Sequence, residues 1–323
     1  MSRLTDLYRR TGADVPYGNP LPDHGTEMEG WFWRVSDEAA GRVLIALCSI
    51  NRNPQGNWST TAVGVHPGQV VRSGALAGAT AQDSPFQVSA GDEAGRFTAG
   101  TDRALFELGD LRLEMEFTDQ VAWPKAFGGG GVFSAIPFLN QYWHPYYLGG
   151  RASGTVSYMG ENGAESWTFE NAKLYAERNW GAGFPLRWWW GQAHDFGDDD
   201  VCVAFSGGLL SLGPIARDVN GIVVRIGSKV IRMTPPVLVR SQVGDNHWVI
   251  RGRSPRYEIE LVGDGTHLPP HVLPVPLPAQ RRNIDTDFEH LGARLRCTVR
   301  ERGRLLFDGT SELAALEVGT RPK

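Results

Sequence analysis

Residues 31–51, WFWRVSDEAAGRVLIALCSIN, give the clearest indication of the fold. The aromatic run Trp31–Trp33 leads into the polar turn Ser36–Glu38, and the apolar run Val43–Asn51 follows. Short apolar runs separated by polar turn residues are typical of β-strands joined in a hairpin. The stretch therefore predicts the opening hairpin of a β-domain.

A second stretch repeats this pattern half a chain later. Trp188–Trp190 is followed by a turn rich in Gly and Asp and then by an apolar run from Val201. Two opening hairpins predict two similar β-domains, residues 1–180 and 181–323, with a hinge near Gly181–Pro185. The alternative is coincidence, because tryptophan-rich strands are apolar in any protein.

The rest of the chain supports an all-β protein. Strand-like runs recur at spacings of roughly 8 to 12 residues, as in sandwiches and barrels, and the 323 residues include 40 Gly and 20 Pro, which suit tight turns. Helix-like spacing is confined to Leu4–Arg10 and Asp287–Leu291. The five prolines of Pro269–Pro278 remove sheet donors, so this segment predicts an extended surface arm or lid.

Charge and composition exclude several classes of function. The net charge is -4, from 32 Lys and Arg against 36 Asp and Glu, so no nucleic-acid partner is expected. The longest apolar run, Val43–Ile50, is too short to cross a bilayer. The start, Met1–Gly12, lacks the apolar run of a secretory signal, so we expect a cytoplasmic protein whose three cysteines are reduced core residues.

The predicted aromatic strand after residue 187 carries apolar and polar side chains on the same face. Side chains alternate along a strand, so Trp188, Trp190, Gln192, His194 and Phe196 share a side. Two indoles beside an amide and an imidazole suit the wall of a pocket inside a barrel. The alternative is a core strand in which the polar side chains bond to the backbone.

A second candidate strand carries a carboxyl group. Tyr175, Glu177 and Asn179 share one face of the stretch Tyr175–Gly181. Apolar surroundings would raise the pKa of Glu177 and let it hold a proton near neutral pH, as a general acid must. The alternative is a surface Glu177 that pairs with Arg178 or Lys173.

Known cofactor and metal motifs are absent from the sequence. It has no CxxC pair, Walker loop, GxGxxG fingerprint or GxSxG nucleophile elbow. We therefore expect no metal and no cofactor. From the residues alone, the prediction ends at a two-domain β-protein with an aromatic pocket.

Three groups of motifs resemble the tocopherol cyclase family. Glu29–Arg34 is similar to its opening motif, and Tyr175–Gly181 with Phe184–Pro185 and Trp188–Gln192 is similar to its central signature. Ser311 and Ala314–Gly319 resemble its C-terminal motif. The resemblance implies two lipocalin-like antiparallel β-barrels, a fold shared with carotenoid 1,2-hydratases.

The resemblance also implies a chemistry. Tocopherol cyclases protonate a prenyl double bond, and a quinol oxygen captures the tertiary cation and closes a ring without a cofactor. Glu177 and Tyr175 stand where the related hydratases carry their acidic stretch, and Asn179, Gln192 or His194 could hold the phenol and take its proton. The plant cyclases carry an amide where this chain has His194. The expected aromatic walls are Trp33, Trp180, Trp188 and Trp190.

Several functions remain open at this point. The leading hypothesis is a cyclase that acts on a prenylated phenol or another hydrophobic small molecule, and peripheral membrane contact would fit such a substrate. A hydratase or a pericyclic cyclase could use the same barrel. A non-catalytic lipocalin-like carrier would use the aromatic residues for binding and leave Glu177 exposed. A carbohydrate-binding sandwich would need stacking tryptophans on an open face.

Overall fold

The first part of the chain folds into one curled antiparallel sheet. The computed structural model describes residues 10–11, 26–83, 85–125, 127–197, 200–212 and 215–322. Within these ranges twelve strands form the first sheet, with a short 3-10 helix at Gly131–Ala135. The strands are β1 (Met28–Asp37), β2 (Arg42–Asn51), β3 (Trp58–His66), β4 (Val70–Ala77), β5 (Thr80–Asp83), β6 (Phe86–Asp92), β7 (Gly95–Gly100), β8 (Arg103–Leu108), β9 (Leu111–Thr118), β10 (Gln141–Tyr147), β11 (Arg151–Gly160) and β12 (Gly163–Gly181).

The second part of the chain forms another sheet of the same kind. Ten strands of the described residues belong to it, with a 3-10 helix at Pro278–Gln280. They are β13 (Arg187–Ala193), β14 (Val201–Leu212), β15 (Ile215–Ile226), β16 (Lys229–Met233), β17 (Leu238–Val243), β18 (His247–Arg253), β19 (Tyr257–Asp264), β20 (His271–Leu277), β21 (Arg282–Glu301) and β22 (Arg304–Thr320).

Each sheet curls because its first strand pairs with its last. β1 lies between β2 and β12, and β13 lies between β14 and β22, all antiparallel. Pairing of the first and last strands curls each sheet into a barrel shape, and the remaining edge strands are β4 and β5 in the first sheet and β16 and β17 in the second. The prediction of an all-β protein with two lipocalin-like barrels is confirmed. The boundary between residues 180 and 181 stays a prediction, and β12 ends at Gly181 while β13 begins at Arg187.

Strand alternation gives the molecule three main layers of apolar side chains. One layer fills the first barrel around Trp33, Phe97 and Phe106, and another fills the second around Trp189 and Trp248. A third layer lies between the two sheets and includes Val43, Ile45, Tyr175, Trp190, Cys202 and Leu291. Both faces are buried in β1, in β13 and in the second half of β12.

The two tryptophan runs do not occupy equivalent positions in the two sheets, although their sequences suggest that they do. Trp31 and Trp33 point into the first barrel, whereas Trp188 and Trp190 face the space between the sheets and Trp189 fills the second barrel. Phe32 and Trp190 are instead the equivalent residues. Phe32 pairs with Glu177 in the first sheet, and Trp190 pairs with Glu317 in the second. The repeat is therefore offset by one residue from the alignment of the tryptophans.

Two sequence-based expectations about secondary structure are wrong. The proline-rich segment contains β20, which pairs with β21 and packs against β3 and β4, so its alternate side chains Leu273 and Val275 are buried rather than exposed on an arm. The prolines are tolerated because β20 pairs with one neighbour only, off the main path of the sheet. Asp287–Leu291 lies in the long strand β21, and most of Leu4–Arg10 lies outside the described residues.

Other details agree with the sequence. The turn at Gly109 and Asp110 joins β8 to β9, and Gly109 adopts a φ of 60°, which glycine takes without strain. Cys48, Cys202 and Cys297 are free and buried. Within the described residues, no helix has the length and apolar character needed to span a bilayer.

A buried ion pair fastens the two sheets together. Arg34 of β1 donates from Nη1 to Gln192 Oε1 over 2.8 Å and from Nη2 to the Asp195 carboxylate over 3.4 Å. It also donates to the carbonyl oxygen of Leu313 on β22. The Arg34 and Asp195 side chains are 0% and 1% exposed, so neither charge has water to stabilise it in the absence of the other.

Asp195→Ala is expected to lower the free energy of unfolding by about 3–5 kcal/mol, because it leaves the Arg34 charge buried and unpaired. The matched control is Asp308→Ala, which removes the exposed pair with Arg296 and should cost less than about 1 kcal/mol. Urea denaturation followed by tryptophan fluorescence measures both values. Equal losses in the two variants would contradict the role given to Arg34 and Asp195.

Candidate functional site

The main cavity lies between the two sheets and not inside either barrel. It has a volume of about 150 Å³. The first sheet contributes β1, β2, β3, β10 and β12 to its wall, and the second contributes β13, β14, β15, β20, β21 and β22. The residues that matter for its chemistry are Gly30, Phe32, Trp143, Glu177, Asn179, Trp188, Trp190, Asp287 and Glu317.

Glu177 is held by three donors that meet at one carboxyl oxygen. Tyr175 Oη, Trp143 Nε1 and Trp190 Nε1 donate to Oε2 over 2.6, 2.7 and 2.8 Å. The donors come from β12, β10 and β13, so both sheets take part. The side chain is consequently fixed in one orientation in the cavity wall.

The other oxygen of Glu177 remains available. Among the residues that the structure describes, none donates a hydrogen bond to Oε1. Burial raises the pKa of Glu177 to about 7, although the three hydrogen bonds act in the opposite direction. Because Oε2 is occupied as an acceptor, the proton of the neutral acid belongs on Oε1. This arrangement can deliver a proton to a molecule in the cavity.

Asn179 presents an amide beside this acid. Its side chain lines the cavity and makes no hydrogen bond within the described part of the chain. Gly30 lies opposite Asn179 in the strand pair, and a Cβ at Gly30 would lie 2.9 Å from Asn179 Oδ1. Glycine in the opening motif therefore leaves the space that the amide fills. The predicted common face of Tyr175, Glu177 and Asn179 exists in the structure.

A second acidic group lines the same cavity and was missed by the sequence analysis. Asp287 of β21 hydrogen-bonds Glu317 of β22, and Trp188 Nε1 also donates to Glu317 Oε1. Burial raises the pKa of Glu317 to about 7 and the pKa of Asp287 well above its usual range. Gly319 lies opposite Trp188 and leaves room for its ring.

The sequence contains signals for both acids. Glu317 belongs to the C-terminal motif, and Asp287 lies in a stretch whose helix-like spacing conceals that Asp287 and Glu289 share one face of a strand. Within the described ranges, no three His, Cys, Asp or Glu side chains are arranged to hold a metal ion.

Two predicted aromatic walls lie elsewhere. Trp33 is buried in the first barrel and packs against Phe106 and Phe117, because the parity of β1 turns Phe32 and not Trp33 toward the cavity. Trp180 stacks on Tyr142 and donates to the carbonyl oxygen of Thr11, outside the cavity lining. Trp188 and Trp190 do line the cavity.

His194 and Gln192 share the face of Trp190 but extend away from the cavity. Gln192 accepts from Arg34, and His194 Nε2 lies 2.6 Å from Ser36 Oγ in the buried polar contact between the sheets. Burial and nearby cations lower the pKa of His194 well below its usual range, so its imidazole is neutral. Neither side chain lines the cavity with Glu177.

The low exposure of three side chains argues against two of the alternative functions, the carrier and the carbohydrate-binding sandwich. Glu177 is 5% exposed, and no ion pair of its carboxyl occurs among the described residues, so it is not the surface residue that a carrier would allow. Trp188 and Trp190 are 4% and 5% exposed. They do not form the open stacking face that a carbohydrate-binding sandwich needs.

Comparison with known proteins gives matches in sequence and in structure. The model of the tocopherol cyclase-like family matches residues 83–320. A protein of Oryza sativa subsp. japonica, named a probable chloroplastic tocopherol cyclase, is 30% identical over 208 residues, which cover 59% of this chain and 42% of the rice protein. The chain thus spans less than half the length of that relative.

Two solved structures have the same fold. The crystal structure of CghA with Sch210972 has a TM-score of 0.63 at 13% identity, covering 94% of this chain and 93% of CghA. Kievitone hydratase from Nectria haematococca has a TM-score of 0.54 at 10% identity, covering 95% of this chain and 94% of the hydratase. At these identities the likeness shows the fold alone.

The raised pKa of Glu177 makes stability depend on pH. Between the ordinary pKa of 4.5 and the folded pKa of about 7, the folded protein keeps a proton that the unfolded chain releases. The wild type should therefore lose stability relative to Glu177→Gln as pH rises through this window, by about 3 kcal/mol in total. Gln keeps an oxygen that can accept from the three donors.

Urea denaturation of both proteins between about pH 4 and pH 8.5 measures this difference. Subtracting the two curves removes the pH dependence that the proteins share. A difference that is flat with pH, or one that grows in favour of the wild type as pH rises, would contradict a neutral Glu177 in the folded protein.

Proposed function

The chain belongs to the tocopherol cyclase-like family, and we propose that it closes a ring in a prenylated phenol or quinol after protonating the prenyl double bond. One observation supports this proposal above all others. Glu177 is a buried acid whose pKa is about 7 and whose free oxygen opens into an aromatic cavity. The reaction consumes no cofactor, because the proton returns to the protein when the ring closes.

In the first step Glu177 acts as the acid. Neutral Glu177 gives the proton on Oε1 to the less substituted carbon of the double bond, and the positive charge forms on the tertiary carbon. The resulting carboxylate is stabilised at once by the Tyr175, Trp143 and Trp190 donors on Oε2. Donors that are already in place stabilise the developing charge without reorganisation.

The second step concerns the cation. Faces of aromatic rings attract a positive charge in a dry cavity, and water would capture it. Phe32 and Trp190 meet edge to face with ring centroids 5.2 Å apart, and Trp188 lines the same cavity. We assign these three rings to the wall around the prenyl group, in place of the Trp33 and Trp180 of the sequence-based hypothesis.

We assign to Asn179 the binding of the phenol hydroxyl group of the substrate. Its unpaired amide lies in the wall beside Glu177 and can hold the hydroxyl group near the carbon that becomes positive. A half-buried amide that has no hydrogen-bond partner among the described residues favours a ligand with a hydroxyl or carbonyl group over a pure hydrocarbon. The substrate class is thus a hydrophobic molecule with one polar end.

Hydration of the double bond is the second candidate. Thr60 also lines the cavity; its hydroxyl group donates to Asn283 Oδ1 and accepts from Asn51 Nδ2, which leaves one lone pair to accept from a water molecule. The same acid would act, but water would capture the cation instead of the phenol. The product of the reaction distinguishes the two functions.

Glu177→Gln is expected to lower kcat for a 2-methyl-6-prenylated benzoquinol by about 10²–10⁴-fold, because the amide has no proton to give. In deuterated buffer the wild type should place one deuterium on the ring methylene next to the new ether carbon. Mass spectrometry and NMR of the product measure both results. The exposed Glu114→Gln serves as the control and should match the wild type.

Three other outcomes are informative. A tertiary alcohol that carries deuterium would establish the hydratase. Tight binding of the quinol without turnover would establish a carrier. A Glu177→Gln protein that closes the ring at the rate of the wild type would remove Glu177 as the acid.

A further inference from the structure

We propose that the hydrogen-bonded pair Asp287–Glu317 is the catalytic base that takes the proton of the phenol as the ring closes. The inference rests on the proposed function and adds the second proton-handling group of the same cavity. The sequence-based hypothesis gave this role to Gln192, Asn179 or His194. Of these three, the structure brings only Asn179 into the cavity, and an amide is not a base.

The position of the pair is the first argument. Asp287 and Glu317 line the cavity that Glu177 also lines, on the strands of the opposite sheet. Asp287 is 5% exposed, and within the described part of the chain no N–H or hydroxyl group donates to it. A buried carboxyl group in a cavity wall whose partner is another carboxyl group is costly unless it also interacts with a ligand or a proton.

The two barrels place the two acids in matching positions. Glu177 lies opposite Phe32 in the pair of β12 with β1, and Glu317 lies opposite Trp190 in the pair of β22 with β13. Each carboxyl group accepts from an indole N–H, and the rings of Phe32 and Trp190 are in contact. The duplicated fold thus presents equivalent carboxyl groups, Glu177 from one half and Glu317 from the other, to a single cavity.

The pair holds one proton between two carboxyl groups. A hydrogen bond between two carboxyl groups requires a proton on one of them, and Asp287, whose pKa burial raises well above its usual range, is the member favoured to carry it. Trp188 Nε1 donates to Glu317 as well, which favours its ionised form. Glu317 is therefore the member of the pair that can accept a further proton.

All proton transfers of the reaction then take place between groups inside the cavity. Glu177 loses its proton to the alkene carbon, and the phenol oxygen forms the new C–O bond with the tertiary carbon. The O–H bond of the phenol breaks, and its proton goes to Glu317, so the pair becomes fully protonated while Glu177 carries the negative charge. Return of one proton from the pair to Glu177 restores the starting state, with no net gain or loss of protons.

The test uses a series of prenylated phenols whose ring substituents span a range of phenol acidities. Glu317→Gln should slow ring closure by about 10²-fold or more for the least acidic phenol, and the loss should shrink as the phenol becomes more acidic. Glu312→Gln, on the same strand but exposed, is the matched control. If Glu317→Gln folds poorly, Asp287→Asn provides a second variant. It should slow ring closure less, and its effect should shrink in the same way as the phenol becomes more acidic.

The O-methyl ether of the quinol separates the two acids. When the methyl group is on the oxygen that would close the ring, that oxygen has no proton to lose, so Glu317→Gln should still place deuterium in the prenyl chain, whereas Glu177→Gln should not. Equal slowing of Glu317→Gln on every phenol, or loss of deuterium uptake into the ether in this variant, would overturn the role of the pair and leave Glu177 untouched. Absence of wild-type turnover with every phenol would overturn the proposed function and this inference together.

Discussion

Three hydrogen bonds to one oxygen of Glu177 join the two sheets at the cavity and fix the orientation of the candidate acid. Tyr175 and Trp143 come from the first sheet, and Trp190 comes from the second. If the sheets separated, the carboxyl group would lose a donor and gain water. The raised pKa of Glu177, the orientation of its free oxygen and the closed contact of the sheets are therefore consequences of one arrangement.

The location of the cavity follows from the way each sheet curls. Each barrel is filled by its own side chains, so its interior has no need of a ligand. The outer faces of β1, β12, β13 and β22 must then be buried against each other, and they carry both apolar and polar groups. The buried pair of Arg34 and Asp195 fastens one region of this contact, and the acids occupy another.

The fold could be predicted from the sequence because its signals are local. Turn residues, strand alternation and the two tryptophan runs each indicate a strand or a hairpin without reference to distant residues. The common face of Tyr175, Glu177 and Asn179 follows from the same alternation. Alternation does not say which face of a strand points into a barrel, and the assignment of Trp33 failed for that reason.

The rest of the site depends on contacts between distant strands. Trp143 and Trp190 reach Glu177 from 34 and 13 residues away, and Trp188 reaches Glu317 from 129 residues away. Strand irregularities add to the difficulty, since the pairing of β21 with β22 shifts between Leu291 and Ala293. The most direct test of the site is the infrared difference spectrum between wild type and Glu177→Gln, recorded from about pH 5 to pH 9. A neutral Glu177 predicts the carbonyl band of a protonated carboxyl group, which disappears with a midpoint near the pKa of about 7. A spectrum without this band at pH values below about 6 would contradict the acid on which the proposed function rests.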